Sequence, residues 1–255
     1  MQIDRYAYRS NVNSWNAGFK VLLSIGTLCM VIAFDEVMVS LFVIMSLGAF
    51  TLGVGKTPVR VYLRFMSVPL AFMICSGIAI AAQFSSLPSG EWNISAHFFY
   101  LCLTKSGIKL AVQVSVKAIA GMSAVYMMAF STPMHEIIGV MQKIRLPGLL
   151  IELMNLIYRY IFILFDVAAE MQTAARARLG YQSFRKSLRT FALIAGSLFI
   201  VSLRKANAYY DALLSRGYDG KIEFLTEKKR LKAWQAAGGA IYFTAVILIW
   251  RFCKR

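Results

Sequence analysis

The sequence predicts an all-α polytopic membrane protein, with about five transmembrane helices and a cytoplasmic domain of three further helices. Three observations carry that expectation. The 255-residue chain is 58% hydrophobic and only 16% charged, with a mean hydropathy of +0.61, too apolar for an ordinary soluble domain and long enough for several bilayer crossings. Its apolar runs approach the ~20 residues a helix needs to cross ~30 Å of hydrocarbon. Between the fourth and fifth run lies a segment, 131–232, in which 16 Lys/Arg stand against 8 Asp/Glu, half of the formal net charge of +16.

The opening, MQIDRYAYRSNVNSWN, is polar and aromatic. It has no basic n-region, apolar h-region or small-residue cleavage site, so no removed signal peptide is expected. Four apolar runs follow, at about Phe19–Phe34, Val37–Val54, Val61–Phe84 and Gly107–Phe130, with a fifth at Ala233–Trp250. These divide the chain into transmembrane helices 1–4 (1–130), the basic segment (131–232) and a last transmembrane helix (233–255). Arg5, Arg9 and Lys20 precede or open the first span and Lys56, Arg60 and Arg64 the third, while the first turn between spans holds Asp35 and Glu36. Positive-inside logic then puts the N-terminus and residues 131–232 in the cytoplasm. Arg251, Lys254 and Arg255 face outward in this arrangement, against the same rule.

Within the basic segment, Thr132-Pro133 has the form of an N-cap and first helical residue. Met134, Ile137, Ile138 and Met141 then recur at helical spacing, leaving His135, Glu136, Gln142 and Lys143 for the polar face. Leu146-Pro147 ends that helix and starts another, reaching to about Leu179. Its polar residues Glu152, Asn155, Arg159, Asp166 and Glu170 fall in one stripe on an apolar cylinder, a pattern that suits a protein groove or an interface rather than lipid. A third helix, about Arg185 to Arg216, has a thirteen-residue apolar centre, Phe191 to Leu203, short for a span.

The last two helices end alike. AARARLGY contains Ala177-Arg178-Leu179, and LLSRGYDG contains Ser215-Arg216-Gly217. Gly217 suits a left-handed residue after a helix, and Gly180 follows the other motif in similar fashion. Each arginine falls in a last turn, where the macrodipole favours a cation by ~0.3–1 kcal/mol. An arginine at one helix end needs no further reading. Two of them on consecutive helices of one segment suggest two similar docking events.

Catalytic chemistry has little support. His97 and His135 lie in different loops on opposite faces of the expected topology, so they share no zinc site. Cys29, Cys75, Cys102 and Cys253 lack CxxC spacing and read as small hydrophobes. No GxxxxGK[ST] loop is present. Nothing in the pattern points to nucleic acid. Lys117, inside the fourth run on one row with Lys109 and Gln113, is an intramembrane candidate: either a functional ion or a lysine that snorkels or pairs with an acid inside the bundle. Ala236, Gly239 and Ala240, with Gly238, give the last span a small-residue face for close helix packing.

The succession of four spans, Thr132-Pro133, a short amphipathic helix, Pro147, Tyr158-Arg159-Tyr160, Glu170, AARARLGY, a further helix, LLSRGYDG and a last span resembles the transmembrane T component of energy-coupling factor (ECF) transporters. The opening Ile3-Asp4-Arg5-Tyr6-Ala7-Tyr8 resembles the cobalt-type CbiQ members. The resemblance implies a non-enzymatic coupling subunit of an ABC importer in the bacterial cell membrane, with three cytoplasmic coupling helices. Ala177, Arg178 and Leu179 would stand for the first Ala-Arg-Gly motif that docks into an ATPase, with Leu for Gly. Ser215, Arg216 and Gly217 would stand for the second, with Ser for Ala, and Arg176 competes with Arg178. The implied partners are two CbiO-like ATPases, which hold the ATP and Mg, a CbiM-like substrate-binding membrane subunit and a small CbiN-like accessory subunit. The chain itself would bind no cofactor and no metal. Cobalt is the first expected substrate, then nickel, then a vitamin. A stand-alone secondary carrier is the alternative from another class, though it would need matched broken-helix sites near the midplane.

Overall fold

The computed structural model describes residues 2–85, 92–96, 99–103, 105–144, 146–220 and 229–253. Contacts divide the chain into two compact units, Met1–Ile137 with Glu227–Arg255, and Ile138–Thr226.

In the first unit a short helix, α1 (Gln2–Arg9), leads through a 3-10 turn (Asn11–Ser14) into α2 (Ala17–Ala33). The Ser10 hydroxyl accepts from Val12 N and donates to the Gly55 carbonyl, and the Asn16 side chain caps α2 by accepting from Phe19 N. The polar opening is therefore ordered by its own side chains, with Ala7 and Val12 fully buried. α3 (Val37–Ala49) continues through a π-helical turn (Phe50–Val54), followed by α4 (Val59–Ala81), α5 (Lys105–Ser131) and, after the second unit, α9 (Ala233–Cys253). These match the five expected spans to within a few residues.

Helix α5 is the centre. α1, α2, α3 and α4 all pack on it, and Leu23, Val31, Val39, Val43, Leu47, Ala120, Ala124, Met127 and Val246 form the core. Between apolar helices in lipid, burial supplies little drive, and close van der Waals contact with interhelical hydrogen bonds takes over. The Ser24 hydroxyl accordingly donates to the Ala124 carbonyl at 2.7 Å. Gly26 and Gly239 let α2 and α9 approach: a Cβ on Gly26 would lie 2.8 Å from the Phe243 ring, and one on Gly239 2.7 Å from Phe19. The small-residue face of α9 thus works within the chain through Gly239, whereas Ala236, Gly238 and Ala240 are exposed.

Pro69 sits inside α4, where it leaves the carbonyl of Phe65 without its helical N–H. The Tyr126 hydroxyl of α5 donates to that oxygen at 3.0 Å. Between α4 and α5, where the sequence suggests only a loop, the chain forms three short strands: β1 (Ala82–Ser85), β2 (Trp92–Ala96) and β3 (Phe99–Leu103). They pair antiparallel in the order β1-β3-β2, with Ala82 and Trp92 both opposite Leu103. Four or five residues per strand are too few for a clear alternation in the sequence.

The second unit contains most of α6 (Met134–Lys143) and all of α7 (Gly148–Ala177) and α8 (Phe184–Leu214). Pro147 caps α7 as expected, but α6 starts one residue late: the carbonyl of Pro133, not Thr132, takes the first helical bonds, from Glu136 N and Ile137 N. Among the described residues six helices are long and apolar enough to cross a membrane: α3 with its π turn, α4, α5, α7, α8 and α9; α2 is shorter. The fold is an all-α polytopic membrane protein. α8, expected to be short for a span from its thirteen-residue apolar centre, is by length and composition long and apolar enough to cross.

Candidate functional site

α7 and α8 form an antiparallel pair. Gly180 lies beside Thr190, whose hydroxyl donates to its carbonyl at 2.9 Å. Midway, the Tyr160 hydroxyl donates to the Lys205 carbonyl, the Tyr160 and Tyr209 rings meet edge to face at 5.7 Å, and the Arg159 guanidinium stands 5.8 Å from the Tyr209 ring. At the far end the Tyr218 hydroxyl donates to Glu152 Oε2 at 3.2 Å. Partial desolvation and then the adjacent carboxylate push the Tyr218 phenol up from its ordinary value, so it remains a donor. Of the polar stripe on α7, Arg159 therefore meets α8 and Glu152 meets Tyr218 just beyond its end. The opposite face, with Leu150, Leu153, Ile157, Ile161 and Phe165, is exposed.

The two arginine motifs close this pair at opposite ends. After α7, Leu179 N donates to the Arg176 carbonyl and Gly180 N to the Ala175 carbonyl. After α8, Gly217 N donates to the Leu214 carbonyl and Tyr218 N to the Leu213 carbonyl. Both are the same Schellman closure, with a left-handed residue, Leu179 (φ 58) or Gly217 (φ 77), directly after an exposed arginine. Arg178 and Arg216 hold equivalent places in equivalent backbone motifs, and Arg176 does not. At ~1.5 Å per helical residue the stretch from Glu152 to Gly180 places the two ends roughly 40 Å apart. The structure does not bring them together.

The first motif corrects one detail of the sequence reading. Leu179, not Gly180, takes the left-handed conformation; Gly180 is required for room, since a Cβ there would lie 2.8 Å from Thr190 Oγ1 and 3.0 Å from the Ala175 carbonyl oxygen. A β-carbon in the left-handed region costs ~1–2 kcal/mol. Leu179→Gly should therefore stabilise this helix end by about 1 kcal/mol, less what glycine loses through unfolded-chain entropy, and raise the melting temperature in detergent. A lower melting temperature would mean that the exposed Leu179 side chain packs usefully.

Lys117 has a partner in the first unit: its ammonium donates to the Ile32 carbonyl at 2.7 Å and pairs with Asp35. Gln113, on the same row, donates to the Asp35 carbonyl at 2.7 Å. The acid comes from the exposed turn after α2 and not from inside the bundle. His135 is exposed, but its ring stacks on Tyr8 at 5.5 Å and Nδ1 lies 3.0 Å from the Tyr8 hydroxyl. His97 falls outside the described residues. Cys29, Cys75 and Cys253 are free and exposed, and Cys102 lies in β3. Among the described residues no three His, Cys, Asp or Glu converge as metal ligands.

One cluster escaped the sequence reading. Lys20, counted there as a topology signal, is 1% exposed, and its ammonium donates to the carbonyls of Ser131 (2.9 Å) and Val12 (3.3 Å) and to Glu136 Oε2 (3.1 Å). Glu136, assigned there to a polar face, is 8% exposed and pairs through Oε1 with Lys229. The Lys229 ammonium also donates to the Asn13 carbonyl at 2.6 Å, and the Asn16 amide donates to the Lys229 carbonyl at 2.6 Å. The available signal was an acid and a base at the ends of apolar runs, but their separation of 116 positions concealed the pairing.

With the fold and these helix ends in place, comparison with known proteins is decisive. The family model for CbiQ, cobalt transport protein, matches residues 9–227. The chain belongs to the CbiQ family. The match excludes Ile3–Tyr8 and α9, so family membership rests on the spans and the α6–α8 segment. A CbiQ cobalt transport protein of Rhodobacter capsulatus is 26% identical over 226 residues, 89% of this chain and 88% of that one. An uncharacterized protein of Methanocaldococcus jannaschii is 29% identical over 224 residues, covering 88% and 82%. A fused cobalt transport protein CbiMQ of Methanocorpusculum labreanum is 29% identical over 223 residues, 86% of this chain and 36% of the fusion. The chain is a multi-pass membrane component of the CbiQ cobalt transport family.

Proposed function

We propose that this CbiQ-family chain is the coupling subunit of an ECF-type importer, passing the ATP-driven motion of two ATPase subunits to a separate substrate-binding membrane subunit, with cobalt as the substrate. The observation that carries the reading is the equivalence of Arg178 and Arg216: two exposed arginines on identical helix closures at the two ends of one rigid pair. Such a pair suits two copies of a partner rather than one. The planar arginine fork makes bidentate bonds to a carboxylate while its stem packs on apolar surface. A partner that closes on ATP and opens after hydrolysis can pivot about such a contact without releasing it. The fused CbiMQ relative supports a CbiM-like membrane partner.

The geometry constrains how this works. If α7 and α8 crossed the bilayer, Arg178 and Arg216 would lie on opposite sides and could not meet two ATPases in one compartment. The coupling reading requires the pair to lie along the cytoplasmic face, its apolar surface covered by the interface or by the membrane partner. Single cysteines at Ser183 and Asp219, near the two ends, in a variant lacking Cys29, Cys75, Cys102 and Cys253, should both resist an impermeant maleimide in whole cells and react in inverted vesicles. Labelling of either from outside would sink this reading. Purification of the native complex should yield two ATPase chains and a second multi-pass subunit, whereas a carrier works alone.

A further inference from the structure

The chain passes between its two units twice, at 137–138 and at 226–227. Both crossings are tethered, inside the first unit, to one carboxylate. Glu136 lies two residues before Ile138, and Lys229, its Oε1 partner, lies three residues after Thr226. The other oxygen of Glu136 is held by Lys20 in the first turn of α2, and Lys20 also grips the carbonyl that ends α5 at Ser131. Lys229 is fixed at the Asn13–Asn16 turn and leads directly into α9.

We propose that Glu136 is the positioning residue through which motion of residues 138–226 reaches the membrane helices. This rests on the coupling reading above. A force on the second unit leaves it only along the polypeptide at these two crossings and through whatever the unit touches. At the crossings the ion cluster decides which helices feel it. With Glu136 holding both, entrance and exit move together, and the load is delivered to α2, α5 and α9 at once. Without the Lys229 tether the exit is no longer fixed to the entrance, and the stroke is spent in the chain. Burial supports a rigid joint: the Lys20 and Glu136 side chains are 1% and 8% exposed, and Lys229 is 21% exposed. Buried ion networks are poor sources of stability, and in some proteins they fix one geometry. This cluster joins five segments: α2, the Asn11–Ser14 turn, the end of α5, α6 and the residues before α9.

The test uses the whole transporter, reconstituted with its ATPases and membrane partner, and reads substrate moved per ATP hydrolysed. Lys229→Gln leaves the Lys20–Glu136 pair compensated. It should assemble and hydrolyse ATP as the unsubstituted complex does, while transport per ATP falls about tenfold, within the ~5–150-fold range of couplings between sites. Lys229→Arg keeps the charge and should restore coupling. If Lys229→Gln fails to assemble, Glu136→Asp, which keeps the charge but is too short to reach both lysines, serves in its place with the same expectation. An unchanged ratio in the variant that assembles overturns the proposal, since a purely structural role lowers hydrolysis and transport together. Failure of the unsubstituted chain to recover any ATPase would overturn the coupling reading itself, and this proposal with it.

Discussion

Replacing Arg178 and Arg216 together by alanine is expected to abolish ATPase recovery and transport while the membrane protein still folds. Each arginine is exposed and ends a helix, where its contribution to the chain's own stability is limited to ~0.3–1 kcal/mol through the macrodipole. In the proposed complex the same side chain would be buried against a carboxylate, and truncating one partner of such a pair costs ~2–5 kcal/mol, more than tenfold in affinity. Either single change should weaken association by at least that factor, because two contacts act on one rigid pair and each raises the effective concentration of the other. The double change loses both. Pull-down of the ATPases in detergent, with size-exclusion profiles as the control for folding, measures it. Recovery and transport equal to those of the unsubstituted protein would mean that these are ordinary helix ends. Arg176→Ala, two residues before Arg178 at the place that Leu214 fills in the second closure, should leave recovery nearly unchanged.

Glu136→Ala is expected to have the largest effect on stability. The substitution strips the acceptor from two lysines, one of them 1% exposed. Breaking a buried pair by removing one partner typically costs ~3–5 kcal/mol, because the remaining charge stays buried and uncompensated. Here two like charges are also left facing each other. A thermal melt in detergent should show a fall of many degrees, or no folded protein at all. Replacing the whole cluster with Lys20→Met, Glu136→Leu and Lys229→Met removes the stranded charges and should recover most of the loss, since apolar replacement of a buried ion pair is often neutral or favourable. If Glu136→Ala melts with the unsubstituted chain, the lysines find other partners and the cluster is incidental.

The spans were legible because ~20-residue apolar runs leave a membrane helix few alternatives, and family membership because the order of spans and helix ends covers most of the chain. Gly217 and Pro147 marked their helix ends because glycine and proline carry backbone geometry in the residue itself. Leu179 could not: a leucine gives no sign that it will sit at φ 58. The equivalence of Arg178 and Arg216 was partly visible in the two motifs, but their separation at opposite ends of one pair depends on the Tyr160–Tyr209 and Glu152–Tyr218 contacts between helices. Glu136 was misread for a similar reason. Its neighbours Lys20 and Lys229 lie 116 and 93 positions away, and local periodicity cannot distinguish a polar face turned to water from one turned to a distant lysine. α1 was missed because its eight residues are mostly polar and aromatic, with only Ile3 and Ala7 aliphatic, too few for a helical apolar pattern.

Pro69 and Tyr126 carry one more implication. A proline in a helix surrounded by hydrocarbon opens a gap in the ladder that water cannot reach, and the Phe65 carbonyl in that gap is answered by a hydroxyl from the neighbouring helix. Any flexing of α4 at Pro69 must therefore either carry Tyr126 along or leave an oxygen bare in oil. The bend point of one helix is in this way governed by another, and α4 with α5 behaves as a single splinted strut: a weak place in the chain that is stiff in the fold.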